Sequence, residues 1–337
     1  MPDGAPAPAQ AGTAPVLAVE NLQTVFDTRD GPVHAVNDVS FHVRAGELLG
    51  VVGESGSGKS VTMMSVLNLL PSPPARVTGG RILFQGRDVR AMKGAELRRL
   101  RGGEIGFVFQ DPMTSLNPVF PVGFQIMEPL RAHLGLSKAA ARTRAAELLA
   151  LVGIPQPTAR LNDYPHQFSG GMRQRVMIAI ALACEPRAII ADEPTTALDV
   201  TIQAQIIELV RDLRTRTGAA MVWVTHDLGV IAGIADRVLV MYAGQVVEES
   251  PVAPLFADPR HPYTRALLAT IPHLDGPRAR RMNSIPGQPP ALSAAPTSCP
   301  FAPRCPRVFD RCREQAPPLI PFGPERAVRC WAPEAAA

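Results

Sequence analysis

One short run restricts this chain more than any other: Gly53, Glu54, Ser55, Gly56, Ser57, Gly58, Lys59 and Ser60. It fits the phosphate-binding pattern G-x-x-x-x-G-K-[ST] at every fixed position. The apolar run Glu47–Val52 precedes it and reads as a buried parallel strand. Val61 opens the stretch that follows, through Leu70, whose apolar residues suit a buried helix. Strand, glycine loop and helix are the context the pattern requires. The glycines let backbone N–H groups turn inward around an anion, and the helix N-terminus adds its positive dipole end. In that frame Lys59 reaches the β- and γ-phosphates and the Ser60 hydroxyl ligates Mg²⁺.

The chain of 337 residues has room for one large domain and a smaller one, and its 46% apolar share is that of a globular protein. A net charge of +4 says little, and the clusters Arg98, Arg99, Arg101 and Arg278, Arg280, Arg281 read as solvated faces. No stretch approaches the roughly 20 apolar residues that span a bilayer. Residues 1–15, rich in Ala and Pro, read as a disordered tail rather than a secretion signal. The expectation is a cytosolic protein whose membrane role, if any, comes through partner chains. Of five cysteines, four lie in the last forty residues. In a reducing compartment such a cluster suggests a metal site rather than disulfides.

Along the chain, Val16–Phe26 and Val33–Val43 alternate as strands across a turn at Asp30-Gly31. Residues from about 92 to 183 are mainly helical, broken by the strand-like Ile105–Phe109. Within them Ser137 reads as the N-cap of an amphipathic helix that Gly153-Ile-Pro155 ends. Apolar strands at Arg187–Ala191 and Ala219–Thr225 alternate with a helix over Ile202–Thr215, and a hairpin follows over Val238–Glu248. This pattern predicts an α/β fold with a largely parallel sheet core, an N-terminal antiparallel β region and a helical subdomain. Beyond about residue 253 proline becomes frequent and periodicity fades, so the main domain is placed at 16–253 and a small irregular Cys-rich one at 254–337.

Further groups of chemical interest fall in order along the chain. Gln110 follows the strand Ile105–Phe109. Ser169, Gly170 and Gly171 open a helix and form a second anion-ready site. Asp192 and Glu193 end a buried strand, the first suited to Mg²⁺ and the second to positioning an attacking water. His226 ends another. At the carboxyl ends of parallel strands these groups would gather on one edge of the sheet, where α/β folds bind ligands.

The ordered set resembles the ATP-binding subunit of ABC transporters over roughly residues 16–250. Gly53–Ser60 is similar to its Walker A loop, Gln110 to the Q-loop and Ser169-Gly-Gly-Met172 to the signature. Ile189–Glu193 is similar to the Walker B strand, Ala197-Leu-Asp199 to the D-loop and His226 to the switch histidine. The resemblance implies ATP hydrolysis, with Glu193 as base, His226 on the γ-phosphate, Gln110 beside Mg²⁺ and Phe26 stacked on adenine. It also implies a head-to-tail dimer, each ATP lying between one subunit's Walker A loop and the other's Ser169, Gly170, Gly171 and Asp199. Phe109–Pro118, His261–Leu268, Val61 and Met172 look like the first, D-type ATPase of the dipeptide, oligopeptide and nickel importers. Such a subunit works with an F-type ATPase, two transmembrane permease subunits and an extracytoplasmic binding protein, at the cytoplasmic face of a bacterial inner membrane and without nucleic acid. Peptide import leads; nickel or another small solute is the alternative, and a soluble ABC ATPase acting on nucleic acid or the ribosome a more distant one. Cys299, Cys305, Cys312 and Cys330 stand in the pattern C-x5-C-x6-C-x17-C, too widely spaced for zinc-finger knuckles. In the family this end is associated with a [4Fe–4S] cluster; zinc, or no metal, stays open beside it.

Overall fold

Alternation of apolar and polar residues produces an antiparallel pair, β1 (Leu17–Thr28) and β2 (Gly31–Val43), with Leu17 opposite Val43 and Thr28 opposite Gly31. The computed structural model of the chain describes residues 14–196, 198–271 and 284–333. Most of the predicted tail, Ala197 of the predicted D-loop and the Arg278–Arg281 cluster lie outside them. Next come β3 (Leu48–Val52) and α1 (Lys59–Val66), joined by the glycine loop. The helix stops four residues short of the Leu70 expected, because Asn68 takes φ 51° and turns the chain left-handed. β4 (Ala75–Phe84) and β5 (Arg87–Asp88) then complete a four-stranded sheet of order β2-β1-β4-β5.

After α2 (Gly94–Arg99), β6 (Ile105–Val108) returns the chain to the main sheet. The helices that follow are α3 (Pro112–Ser115), α4 (Val122–Leu134), α5 (Lys138–Leu151) and α6 (Pro157–Arg160). Ser137 caps α5, its hydroxyl accepting the Ala140 N–H at 3.2 Å. α7 (Gly170–Leu182) leads back to β7 (Ala188–Asp192). The chain continues through α8 (Val200–Thr217), β8 (Ala220–Val224), α9 (Leu228–Ile234), β9 (Arg237–Tyr242) and β10 (Gln245–Pro251).

The main sheet runs β9-β3-β8-β7-β6 with all neighbours parallel, and β10 adds antiparallel to β9. β3, β7 and β8 are buried along their whole length, which is why their sequences are continuous apolar runs rather than alternations. Their side chains feed two cores. Leu48 and Val52 join α4, α5, α7, α8 and α9 on one face; Leu49 and Val51 join α1 and the four-stranded sheet on the other.

The C-terminal segment holds α10 (Val252–Ala257), α11 (Pro262–Leu268), α12 (Asp310–Glu314), β11 (Ile320–Pro321) and β12 (Ala327–Val328). β12 pairs with β10, so the segment expected to stand apart extends the main sheet to eight strands. Strands of two residues carry no period, which hides this pairing from the sequence. Arg329, just past β12, donates to Val246 O at 3.0 Å and to the Asp38 carboxylate at 3.2 Å, tying the segment to β10 and β2. No helix among the described residues is long and apolar enough to cross a membrane.

Candidate nucleotide site and C-terminal cysteine pocket

The loop after β3 closes because two glycines occupy places no side chain could. A Cβ on Gly53 (φ 155°) would stand 2.2 Å from Met241 O, and one on Gly58 (φ 97°) 2.5 Å from Ala35 O. Ser55 and Gly56 form the exposed tip, whereas Ser57 is buried and Val61 partly so. Lys59, the first residue of α1, is buried and curls back over the loop. Its ammonium donates to Gly53 O at 2.8 Å and Glu54 O at 3.0 Å. Burial pulls its pKa below the usual lysine range, against the pull of Glu193, Asp192 and Glu54. The positive charge is thus held in place at a desolvation cost that an anion would relieve.

The strand ends bring the acids to this lysine. Ser60 Oγ donates to Asp192 Oδ1 at 2.9 Å. Burial pushes the Asp192 carboxyl above the usual range; the Ser60 bond and Lys59 oppose that, and Glu193 adds to it. A buried carboxylate beside a hydroxyl is a pair of hard oxygen donors, and Mg²⁺ commonly takes one or two protein oxygens plus substrate phosphates. These residues fit that ion. Glu193, one step beyond β7, sits at φ 46° with its N–H on Val224 O at 3.0 Å. Its carboxylate accepts from Thr196 Oγ1 at 2.9 Å and Gln110 Nε2 at 3.3 Å. It also faces His226 Nδ1 at 3.4 Å and Lys59 Nζ at 4.0 Å. Four side chains from four segments converge on one carboxylate; Lys59 is buried, whereas Gln110, Thr196 and His226 are exposed. Thr196 is the participant that sequence reasoning passed over, since a threonine in a turn carries no motif signal.

Other predicted residues lie on separate elements. Ser169 caps α7 by accepting the Met172 N–H at 3.3 Å, and Gly171 packs so closely on Ile202 that a Cβ would be 2.5 Å from its Cγ2. Asp199 caps α8 through the Ile202 N–H at 2.9 Å. Phe26 is half-buried on β1, opposite Val33 and Ala75. Glu54 directs both its N–H and its carboxylate toward the C-terminal segment. Tyr263 Oη accepts the first at 2.8 Å, and Arg304 binds the second at 2.7 and 2.9 Å. No sequence signal marked Arg304 for this; it lies among cysteines and prolines.

Cys299, Cys305, Cys312 and Cys330 all line one apolar pocket, with Phe301 and Trp331. Three of the sulfurs accept a backbone N–H from the residue two positions on: Cys299 from Phe301, Cys305 from Arg307 and Cys330 from Ala332. N–H donors of this kind stabilise thiolate, the form that binds iron or zinc. Burial, joined by the neighbouring Cys312, Cys330 and Cys305 and opposed by the Phe301 N–H, pushes the Cys299 thiol up to about 11. Thiols are the donor type that such a group takes, but no set of three His, Cys, Asp or Glu among the described residues is placed to hold a metal ion. Cys184, by contrast, is a core residue whose Sγ lies 3.5 Å from Pro129 O.

Comparison with known proteins agrees with this geometry. The family described as "ABC transporter" matches residues 36–196, and "Oligopeptide/dipeptide transporter, C-terminal region" matches 247–312. The probable peptide ABC transporter ATP-binding protein y4tR of Sinorhizobium fredii is 51% identical over 316 residues, 94% of each chain. The oligopeptide transport ATP-binding protein OppD of Bacillus subtilis is also 51% identical, over 94% of this chain and 88% of its own. Among solved structures, the dimeric ATP-binding cassette MJ0796, in a post-hydrolysis state with ADP and Pi, superposes with a TM-score of 0.63. It is 30% identical and covers 70% of this chain and 98% of its own. The chain belongs to the ATP-hydrolysing, ATP-binding subunits of ABC transporters, within the group that carries the oligopeptide/dipeptide transporter C-terminal region.

Proposed function

We propose that this chain is the D-type ATPase that powers uptake of di- and oligopeptides through an ABC importer. The observation that carries the reading is the joint presence of two things. One is a phosphate loop whose lysine, acids, glutamine and histidine converge; the other is a C-terminal region of the peptide-transporter type. Its partners are an F-type ATPase, two transmembrane permease subunits and an extracytoplasmic binding protein, and it works at the cytoplasmic face of the inner membrane. Gly53, Ser55, Gly56, Ser57, Gly58 and Lys59 surround the phosphates. Ser60, Asp192 and Gln110 would hold Mg²⁺, which when bound offsets phosphate charge. Glu193 takes a proton from the attacking water, and His226 steadies the γ-phosphate it leaves exposed to attack. Phe26 stacks on adenine. Ser169, Gly170, Gly171 and Asp199 serve the nucleotide bound on the facing subunit, which accounts for a second anion-ready helix start lying away from Lys59.

Cys299, Cys305, Cys312 and Cys330 would hold a [4Fe–4S] cluster, which when bound supplies one-electron redox chemistry or a rigid cross-link. The thiols sharing one apolar pocket, with N–H groups aimed at three sulfurs, support this. Two measurements test the assignment. Vesicles carrying the complete transporter, with ATP on the nucleotide side, should accumulate a labelled dipeptide or oligopeptide; accumulation of Ni²⁺ in its place would overturn the peptide reading. The chain purified without oxygen should contain iron and sulfide that Cys305→Ser removes. Zinc, or neither metal, would reduce the pocket to a packing element.

A further inference from the structure

Glu54 ties the phosphate-binding loop to the C-terminal segment, through Arg304 on its carboxylate and Tyr263 on its N–H. The Arg304 guanidinium forms two parallel bonds to its carboxylate, Nη1 to Oε2 at 2.7 Å and Nη2 to Oε1 at 2.9 Å. No donor of that guanidinium is left over. Nε bonds Pro286 O at 2.8 Å, Nη1 also reaches Tyr242 Oη at 3.2 Å, and Nη2 also reaches Ile285 O at 3.2 Å. The Arg304 side chain is 3% exposed. A planar fork with every donor engaged has one orientation, and the carboxylate it grips has one as well.

The opposite grip is on the Glu54 backbone, whose N–H donates to Tyr263 Oη at 2.8 Å. Tyr263 is fully buried, with its ring 4.6 Å from that of Tyr242 and 5.4 Å from that of Phe301. The segment holding both residues is itself anchored. Arg260 and His261 N–H groups bond the buried Glu248 carboxylate of β10 at 2.8 Å each, and Cys299 N–H bonds Cys312 O at 2.9 Å. The loop is therefore gripped on its inner side by Met241 and Ala35 and on its outer side by the C-terminal segment. Charge matters as well as shape. A bare carboxylate in the second position of a phosphate-binding loop repels a polyphosphate, and Arg304 cancels that charge.

We propose that Arg304 and Tyr263 are positioning residues for the phosphate-binding loop: acting through Glu54, they fix the loop in its nucleotide-accepting shape and neutralise its one acidic side chain. This rests on ATP binding at Gly53–Ser60 and not on the nature of the transported solute.

The test titrates the full-length chain with a fluorescent ATP analogue and Mg²⁺. Arg304→Ala is expected to weaken binding about tenfold, the worth of a lost charge-assisted pair. Arg304→Lys, which keeps the charge but not the fork, should fall between it and the unmodified chain. Tyr263→Phe should weaken binding and speed hydrogen exchange at residues 53–60. Arg313→Ala removes an exposed C-terminal arginine of α12 that faces Asp310; it should leave affinity unchanged. Adding Glu54→Gln to Arg304→Ala removes the uncompensated charge, so the double variant should bind at least as tightly as Arg304→Ala alone. Unchanged affinity in Arg304→Lys and Tyr263→Phe, or losses that multiply in the double variant, would overturn the proposal. The lysine variant and Tyr263→Phe carry the test if Arg304→Ala fails to fold. Lys59→Ala serves as reference: if it too bound normally, the failure would be that of the loop assignment and not of Arg304.

Discussion

Two regions of this molecule handle buried charge in opposite ways. At the carboxyl edge of the sheet, Glu193 has one good hydrogen bond, from Thr196, and three looser neighbours at 3.3, 3.4 and 4.0 Å. Lys59 leans on backbone carbonyls and is held below its ordinary pKa. In the C-terminal segment, Arg304 uses every donor, and Arg329 is spread over Val246 O, Pro317 O and Asp38. Unsatisfied charge marks the place where a ligand completes the coordination; satisfied charge marks a fastening. The first region should govern turnover with little effect on stability; the second should govern stability, with Arg304 also reaching the nucleotide through its grip on Glu54.

The largest effect that would separate them is at Glu193. Glu193→Gln removes the base but keeps the shape, so hydrolysis by the assembled transporter should fall about 10²- to 10⁴-fold while ATP binding and thermal stability hold. A variant with most of its turnover intact would remove Glu193 from that role. Lys59→Ala should weaken ATP affinity about 100-fold, an effect of the size expected for a buried cation on phosphate. Because the ammonium is buried at a cost in the empty site, the apo protein's Tm should not drop; a marked drop would mean that Lys59 is a fastening after all.

Arg329→Ala tests the other region. It strips buried carbonyls and Asp38 of their donor and should cost about 2–3 kcal/mol of stability, read as a lower denaturant midpoint. Nucleotide affinity per folded molecule should stay the same. The smallest effect concerns pH. Burial, and then the charges of Arg237 and Arg44, lower the His42 pKa to about 4 from an ordinary 6.5. The unfolded chain then binds a proton that the folded one refuses, so stability is lost as pH falls from 6.5 toward 4. His42 is only partly buried, so solvent screens most of this effect, and His42→Gln should flatten the decline by about 1 kcal/mol or less across the window, measured as Tm against pH.

Much of the nucleotide edge was legible before any coordinates. Glycine at 53 and 58 is demanded by backbone close approach, and an apolar run ending in Asp192-Glu193 is what a strand buried on both faces looks like. Ser137 and Ser169 announced helix starts by the same local hydrogen-bonding logic. The break in the helical stretch was legible as well: β6, a four-residue strand set between helices, lies within the strand-like Ile105–Phe109 and belongs to the sheet.

Residue order alone was enough for the α/β class, the phosphate loop and its acids, since each rests on a local period or a fixed short spacing. Only the folded chain decided that β12 continues the main sheet, that four distant cysteines face one pocket, and that Arg304 and Tyr263 close on Glu54 across some two hundred and more residues. Contacts of that kind have no period and no spacing rule. They exist because tertiary packing carries one saturated guanidinium and one buried phenol to the same loop residue, and a one-dimensional pattern holds no record of which distant side chain will arrive there.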